Sequence, residues 1–439
     1  MRILLVSTYE LGRQPFGLAS PAAWLRAEGH EVTIADLACH PLEKAALEQA
    51  EAIAFYLPMH TATRLFLRVL DRVRNVNPGA RLCAYGLYAP LNASLLARAG
   101  VRTVLGGEFE QGLVNWARGD NQPRCAVSLA RQRFRVPDRT GLPPLGAYAR
   151  LVANGSTHPV GYTEASRGCK HLCRHCPVVP VYRGQFRVVQ REIVLADIRQ
   201  QVAAGAEHIT FGDPDFLNGP GHVVPIVEAL HREWPALTYD ATIKIEHLLQ
   251  HSDLLPLLKQ TGCLFVTSAV ESLDDTILRK LAKGHTRADF TRALDLMRTA
   301  GLPLAPTFIP FTPWTTQEGY GEFLRALAEL DLAAEVAPIQ LAIRLLIPEG
   351  SLMLELPEIR AMVEPFDRRG LCYPWRNRDR AMDQLCLAIQ ETIKREERRR
   401  TSRVEIFRRI WDLSQSGSFP EIALPDRATI PYLTEPWYC

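Results

Sequence analysis

No stretch of the 439-residue chain approaches the roughly 18 consecutive apolar residues that a membrane-spanning helix needs, which excludes a helical membrane protein. The N-terminus, Met-Arg-Ile-Leu-Leu-Val-Ser, has no apolar region followed by a small-residue cleavage site. It reads as a buried first strand, and the expected location is the cytosol. An excess of one charge is also missing. The 51 lysines and arginines stand against 48 aspartates and glutamates, a net charge of +3, too small to argue for a nucleic-acid partner. The basic run from Lys394 to Arg400 contains Glu396 and Glu397 and fits a solvated helix face. No short fixed period recurs, so solenoids and propellers are excluded. Ten cysteines in a reducing compartment do not suggest a disulfide framework. Metal binding or plain burial remains, and spacing decides between them.

What is present is a globular composition, 47% hydrophobic and 23% charged, long enough for two or three domains of about 100–200 residues each. β-rich runs at 2–7, 31–36, 52–57, 80–85 and 102–105 alternate with helical patterns at 21–28, 61–73 and 108–118. Five short strands separated by helices predict a doubly wound, flavodoxin- or Rossmann-like parallel sheet over residues 1–120. In such sheets a ligand sits at the carboxyl ends of the strands. Those loops hold Tyr9, Tyr56, His60, Tyr85, Gly86, Gly106 and Gly107. Residues 121–158 lose the pattern and are rich in turn formers, predicting a linker. A second series follows, with strands at 160–165, 208–211, 237–243, 264–270, 304–309 and 339–346. Its helices fall at 192–204, 223–233 and 289–300. Six strand–helix units predict a partial (β/α)6 barrel over 159–356. Residues 357–439 are expected to be a mostly helical cap and tail.

Directly after the first strand of the second series stands Ala165-Ser166-Arg167-Gly168-Cys169-Lys170-His171-Leu172-Cys173-Arg174-His175-Cys176-Pro177. Thiolates are the usual ligands of iron–sulfur clusters. Three of them can hold three irons of a cubane and leave the fourth iron open to a small molecule. The next cysteine along the chain is Cys263. Arg167, Lys170 and Arg174 are expected to lower the thiol pKa and offset cluster charge. Two other readings stay open: a structural zinc on Cys173, Cys176 and either His171 or His175, and unliganded cysteines.

The CxxxCxxC spacing of Cys169, Cys173 and Cys176 after a first barrel strand resembles the radical S-adenosylmethionine (SAM) superfamily. The resemblance implies a 4Fe-4S cluster on these three cysteines, whose open iron chelates SAM. It also implies reductive cleavage of a carbon–sulfur bond, fed by an electron donor such as flavodoxin or ferredoxin. Gly212-Asp213-Pro214-Asp215 resembles the acidic second-strand motif that accepts from the SAM amino group; an ordinary turn is the alternative. Glu271 and Ser272 end the fourth strand and are expected at the ribose or methionine end, unless Glu271 pairs with a neighbouring cation. The fifth strand, with Thr307, is expected against the adenine, with a packed core strand as the equal alternative. Arg344, a charge within an apolar sixth strand, is expected to meet the SAM carboxylate or to form an internal salt bridge. His175 occupies a position that is often aromatic in the superfamily.

Phe16-Gly17-Leu18-Ala19 followed by Leu25 to Val32 resembles the cobalamin-binding domain found ahead of many such barrels. The motif Asp-x-His-x-x-Gly is absent, because Asp36 and His40 are four apart. Cobalamin is therefore expected at Tyr9, Tyr56, His60, Tyr85, Gly86, Gly106 and Gly107 with no histidine from that motif on cobalt. A vestigial scaffold is the alternative. Gly161 to Glu164, Val178 to Gly184 and the ending Glu435-Pro436-Trp437-Tyr438-Cys439 resemble the CUAEP/CCAEP-tail radical SAM proteins. Tyr432, Leu433 and Thr434 stand where that family has its cysteine pair and alanine.

These resemblances imply radical methyl or alkyl transfer to a small metabolite, with cobalamin as the methyl carrier. They also leave open transfer of the 3-amino-3-carboxypropyl group of SAM to a small acceptor such as arsenite. A non-catalytic iron–sulfur or zinc sensor is the reading from a different class.

Overall fold

The computed structural model describes residues 1–120, 123–420 and 431–435. The first sheet contains β1 (Arg2–Ser7), β2 (Glu31–Asp36), β3 (Ala52–Tyr56), β4 (Arg81–Tyr85), β5 (Thr103–Gly107) and β6 (Cys125–Ser128). All are parallel, in the order β2-β1-β3-β4-β5-β6. The central strands β1 and β3 are apolar almost throughout because helices cover both faces. Alternate residues serve different cores: Ile3, Leu5, Ala54 and Tyr85 face one, and Leu4, Val6, Phe55 and Ala84 the other. The order reverses between β1 and β3, which places a crevice at their carboxyl ends. β6 lies in the segment whose composition suggested only a linker.

The first helix begins at Phe16, five residues before Pro21, and runs to Ala27 through that proline. Proline has no N–H to give the carbonyl four residues back. That carbonyl belongs to Gly17, and the Tyr85 hydroxyl donates to it instead at 2.8 Å. Gly17 is also required for space, since a Cβ there would lie 2.1 Å from the Tyr56 ring.

The second sheet contains β7 (Arg150–Ala153), β8 (Ser156–Thr163), β11 (His208–Phe211), β12 (Thr238–Thr242), β13 (Cys263–Glu271), β14 (Leu304–Phe308) and β15 (Tyr432–Leu433). A separate hairpin pairs β9 (Ser166–Gly168) with β10 (Phe186–Val188). Strands β8, β11, β12, β13 and β14 are parallel and form the curled half-barrel. β7 and β15 add antiparallel strands at its edge. The sixth barrel position differs from the expected strand over 339–346. Pro338 to Leu341 makes a 3₁₀ turn, and only one parallel bridge, Phe311 to Arg344, follows. Proline at the head of the segment withholds a ladder donor and favours the turn. The cap consists mainly of helices Arg380–Arg398 and Arg403–Leu413. Ile389, Ile393, Phe407 and Trp411 insert from them into the barrel core. None of the described helices is long and apolar enough to cross a membrane.

Candidate active site at the cysteine loop

The cysteine loop leaves β9 and is pinned at both ends. Asn218 accepts from Lys170 N at 3.1 Å and donates to Gly168 O at 3.3 Å. Arg174 N donates to Leu281 O at 2.9 Å, and its guanidinium reaches Lys280 O at 2.9 Å, satisfying carbonyls at a helix end. Beyond the loop, Val178, Val181 and Tyr182 pack into one core of the first sheet, with Cys169 and Cys176 against the same cluster. The three cysteines therefore lie where the two sheets meet. Burial pushes the free Cys169 thiol up to about 11 and Cys176 to about 12.

The cations beside these thiols differ from those expected. Arg167 is the middle residue of β9, so its side chain points to the opposite face from its neighbours. It is buried against Glu110 at 2.7 Å, Glu164 at 2.6 Å and Glu108 at 3.7 Å. The Arg174 guanidinium serves the helix carbonyls, and the Lys170 ammonium lies over the Phe186 ring at 5.3 Å. Lys244 takes their place, with its Nζ 3.7 Å from Cys173 Sγ. Lys283 is the second cation: burial works to lower its pKa, but Glu271 and the neighbouring Cys173 and Cys176 raise it.

Glu271 ends β13 with φ of +70°, at a register shift in the β13–β14 pairing. Such a bulge re-aims a side chain, and strained backbone collects at functional sites. Its Oε1 accepts from His175 Nε2 at 3.0 Å and Lys283 Nζ at 3.4 Å. Burial alone pushes this carboxyl up, but Lys283 and His175 outweigh it and hold the pKa at about 2. Ser272 is buried beside it and accepts from Asp274 N at 3.1 Å. Thr307 is half-buried on β14, in register with Ala269. Gly212 abuts the Tyr162 hydroxyl, 2.0 Å from where a Cβ would stand.

Other expected site residues are occupied by the protein itself. Asp213 accepts from Ala165 N at 2.9 Å and Ser166 Oγ at 2.6 Å, and burial raises its pKa to about 7. It holds the chain entering the cysteine loop. Asp215 turns to two histidines, His247 at 2.6 Å and His171 at 3.7 Å. Arg344 pairs with Asp383 at 2.7 Å, donates to Trp375 O at 2.6 Å and stacks on the Trp375 ring, so its partners are internal.

The carboxyl edge of the first sheet also departs from expectation. Tyr85 is fully buried, and Tyr56 closes over Gly17. Gly86, Gly106 and Gly107 face Leu57, Pro90 and Ser128 at contact distance. These five residues pack against protein. His60 and Tyr9 are tied down by later parts of the chain, His60 Nε2 by Gly370 O at 2.6 Å and Tyr9 by the Glu435 carboxylate. Next to them, Ser7 Oγ and Glu10 Oε2 are buried with no hydrogen-bond partner.

Lys244, Glu246, His247, Lys283 and His285 complete the site and were not singled out from the sequence as site residues. A signal was present in Lys244-Ile245-Glu246-His247, three polar groups within four residues at a strand's carboxyl end.

Residues 163–327 match the model of the radical SAM superfamily. That stretch carries the radical SAM domain of this chain. It is 24% identical over 339 residues to the hopanoid C-3 methylase of Methylococcus capsulatus, covering 71% of this chain and 64% of that protein. It is 27% identical over 189 residues to the ribosomal protein uS12 methylthiotransferase RimO of Geobacter sulfurreducens, covering 40% of this chain and 41% of that one. The chain thus spans less than two thirds of these relatives' length. Two solved structures share its fold. One is the cobalamin-dependent SAM radical enzyme OxsB with aqua-cobalamin and SAM bound, at TM-score 0.72 and 15% identity, covering 90% of this chain and 67% of that one. The other is the radical SAM methyltransferase TsrM from Kitasatospora setae with tryptophan and aza-SAM bound, at TM-score 0.64 and 16% identity, covering 83% and 78%. A radical SAM domain implies a 4Fe-4S cluster and SAM.

Proposed function

We propose that the chain is a radical SAM transferase that moves a methyl or alkyl group to a small metabolite, with cobalamin as a further cofactor. One observation carries the reading. Cys169, Cys173 and Cys176 share one pinned loop, and no fourth ligand completes the set among the described residues. The two candidate histidines are engaged elsewhere, His175 with Glu271 and His171 with His247 and Glu246. That disfavours a closed zinc site and suits a cluster with one open iron.

The donor chemistry fits the cluster. Lys244 and Lys283 supply positive charge against an anionic sulfur cage, and ligation would remove the protons that burial now holds on Cys169 and Cys176. For SAM, the re-aimed Glu271 with Ser272, Thr307 and Gly212 forms the proposed lining, while Asp213 and Arg344 serve the scaffold. Bound together, cluster and SAM supply reductive carbon–sulfur cleavage. The protein's part is to hold His175 by its Nε2 proton on Glu271 and to bury the loop against the first sheet. Cobalamin fits only part of its expected edge. The orphaned Ser7 Oγ and Glu10 Oε2 suit a polar ligand edge at the crevice between β1 and β3.

The test is anaerobic incubation of the reconstituted protein with SAM, a reductant and hydroxocobalamin. The expected nucleoside product is 5′-deoxyadenosine, absent when Cys169, Cys173 and Cys176 are all alanine. Production of 5′-methylthioadenosine instead, or of no nucleoside by a protein with a full cluster, contradicts the proposal.

A further inference from the structure

A second group of donors stands at the carboxyl ends of β11 and β12, beside the cysteine loop. His171 comes from that loop, Asp215 from the turn after β11, and His247 from the helix Ile245–Gln250 after β12. One ligand atom of each lies within 4.8 Å of the others. The two imidazoles face each other nitrogen to nitrogen, His171 Nε2 to His247 Nε2 at 3.4 Å. His247 Nδ1 approaches Asp215 Oδ2 to 2.6 Å, and neither buried atom makes a hydrogen bond. The Asp215 side chain is wholly inaccessible to solvent, and His247 nearly so. A buried carboxylate oxygen with no donor is costly.

The surroundings add a second feature. His171 Nδ1 meets Glu246 Oε2 at 3.2 Å, while its other nitrogen faces His247 and Asp215. A metal-ligating histidine characteristically gives its second ring N–H to a carboxylate, which fixes the tautomer and directs the lone pair at the metal. Gly284 makes room for that carboxylate: a Cβ there would lie 2.2 Å from Glu246 Oε1. Lys244 pairs with Glu246 and Cys173 and contributes no lone pair to the group.

We propose that His171, Asp215 and His247 bind a mononuclear divalent cation of the zinc class, separate from any iron held by the cysteines. Imidazole and carboxylate donors suit such a cation. Three protein ligands leave a coordination position open, as metal sites that bind a small molecule do. The His171 side chain is about 20% exposed, which gives the ion a route in. The class of ligand the open position takes is a small molecule with an oxygen or nitrogen donor.

The experiment loads the protein with its iron and sulfide anaerobically, removes loosely held metal with a chelator and titrates it with zinc. Iron, sulfide and zinc are quantified separately, so the cluster and this site are read independently. The expected result is about one zinc per chain beyond the cluster. Asp215→Asn and His247→Gln abolish zinc uptake while iron and sulfide stay at the unmodified level. Glu246→Gln, which removes only the carboxylate behind His171, weakens zinc binding about 10–100-fold. X-ray absorption at the zinc edge should show nitrogen and oxygen neighbours alone, a readout that does not depend on any variant folding. A sulfur neighbour, unchanged zinc uptake in both ligand variants, or no zinc bound beside a full cluster overturns the proposal. Parallel loss of iron and zinc in Asp215→Asn also overturns it, because these residues would then belong to the cluster's own environment.

Discussion

Replacing Arg167 by methionine tests how the two sheets are joined. The guanidinium is buried among three carboxylates, bonded to Glu110 at 2.7 and 3.0 Å and to Glu164 at 2.6 Å, with Glu108 at 3.7 Å. The rings of Phe16, Phe109 and Phe134 flank it within 5.6 Å. Methionine keeps much of the stem packing and removes the positive charge. The carboxylates left behind must either repel one another or take up a proton. Protonation sets a ceiling on the loss: neutralising one acid of ordinary pKa costs about 5 kcal/mol at pH 8 and about 1.6 kcal/mol at pH 5.5. The ceiling at pH 8 agrees with the roughly 3–5 kcal/mol lost when a buried pair is broken. The variant should therefore lose about 5 kcal/mol at pH 8 and about 2 kcal/mol at pH 5.5. The sign follows from proton counting, because at high pH the unfolded variant has released protons that its folded form retains. Urea denaturation followed by tryptophan fluorescence at both pH values measures it. Equal losses at the two pH values, or losses below about 1 kcal/mol at both, would refute the reasoning.

Three further outcomes are expected. Burial raises the Glu108 pKa to about 7 despite Arg167, so the wild type loses stability as pH climbs from about 4.5 to 7. Glu108→Gln should flatten that slope and gain at most about 3 kcal/mol above pH 7; an unchanged melting profile between pH 5 and 8 counts against this. Arg344→Met breaks a half-exposed pair with Asp383 and a ring contact with Trp375, for a loss of about 1–2 kcal/mol. SAM affinity measured by calorimetry should not change, and a large drop in it would return Arg344 to the cofactor. Gly17→Ala forces a methyl into the Tyr56 ring and should cost about 1–3 kcal/mol; a variant as stable as the wild type in thermal melts would show that Tyr56 moves aside freely.

The sequence was most legible where the information is local. The central strands β1 and β3 of the first sheet are buried on both faces, so each appears as an apolar run such as Ile3 to Val6. The three cysteines sit within eight residues, and their spacing alone carries the cluster assignment. Short or exposed elements left no such mark: β6 is largely exposed and β15 has two residues. Pro21 reads as a helix start although the helix begins at Phe16, and only the tertiary donor Tyr85 shows why the proline is tolerated. Adjacency misled at Arg167, which stands two residues from Cys169 but points the other way. Lys244, His247 and Lys283 join the site through folding alone, from the segments that follow β12 and β13, and no local pattern links them to the cysteines. Asp213 and Asp215 share a motif, yet backbone geometry sends one to Ser166 and the other to the histidines.

The measurement closest to the central claim is electron paramagnetic resonance of the dithionite-reduced, iron- and sulfide-loaded protein, before and after addition of SAM. A cluster held by Cys169, Cys173 and Cys176 with one open iron should give the signal of a reduced 4Fe-4S centre that shifts when SAM is added, and Cys173→Ala should abolish it. A full cluster whose signal is indifferent to saturating SAM, or a protein that retains zinc in place of iron at these cysteines, would contradict the account.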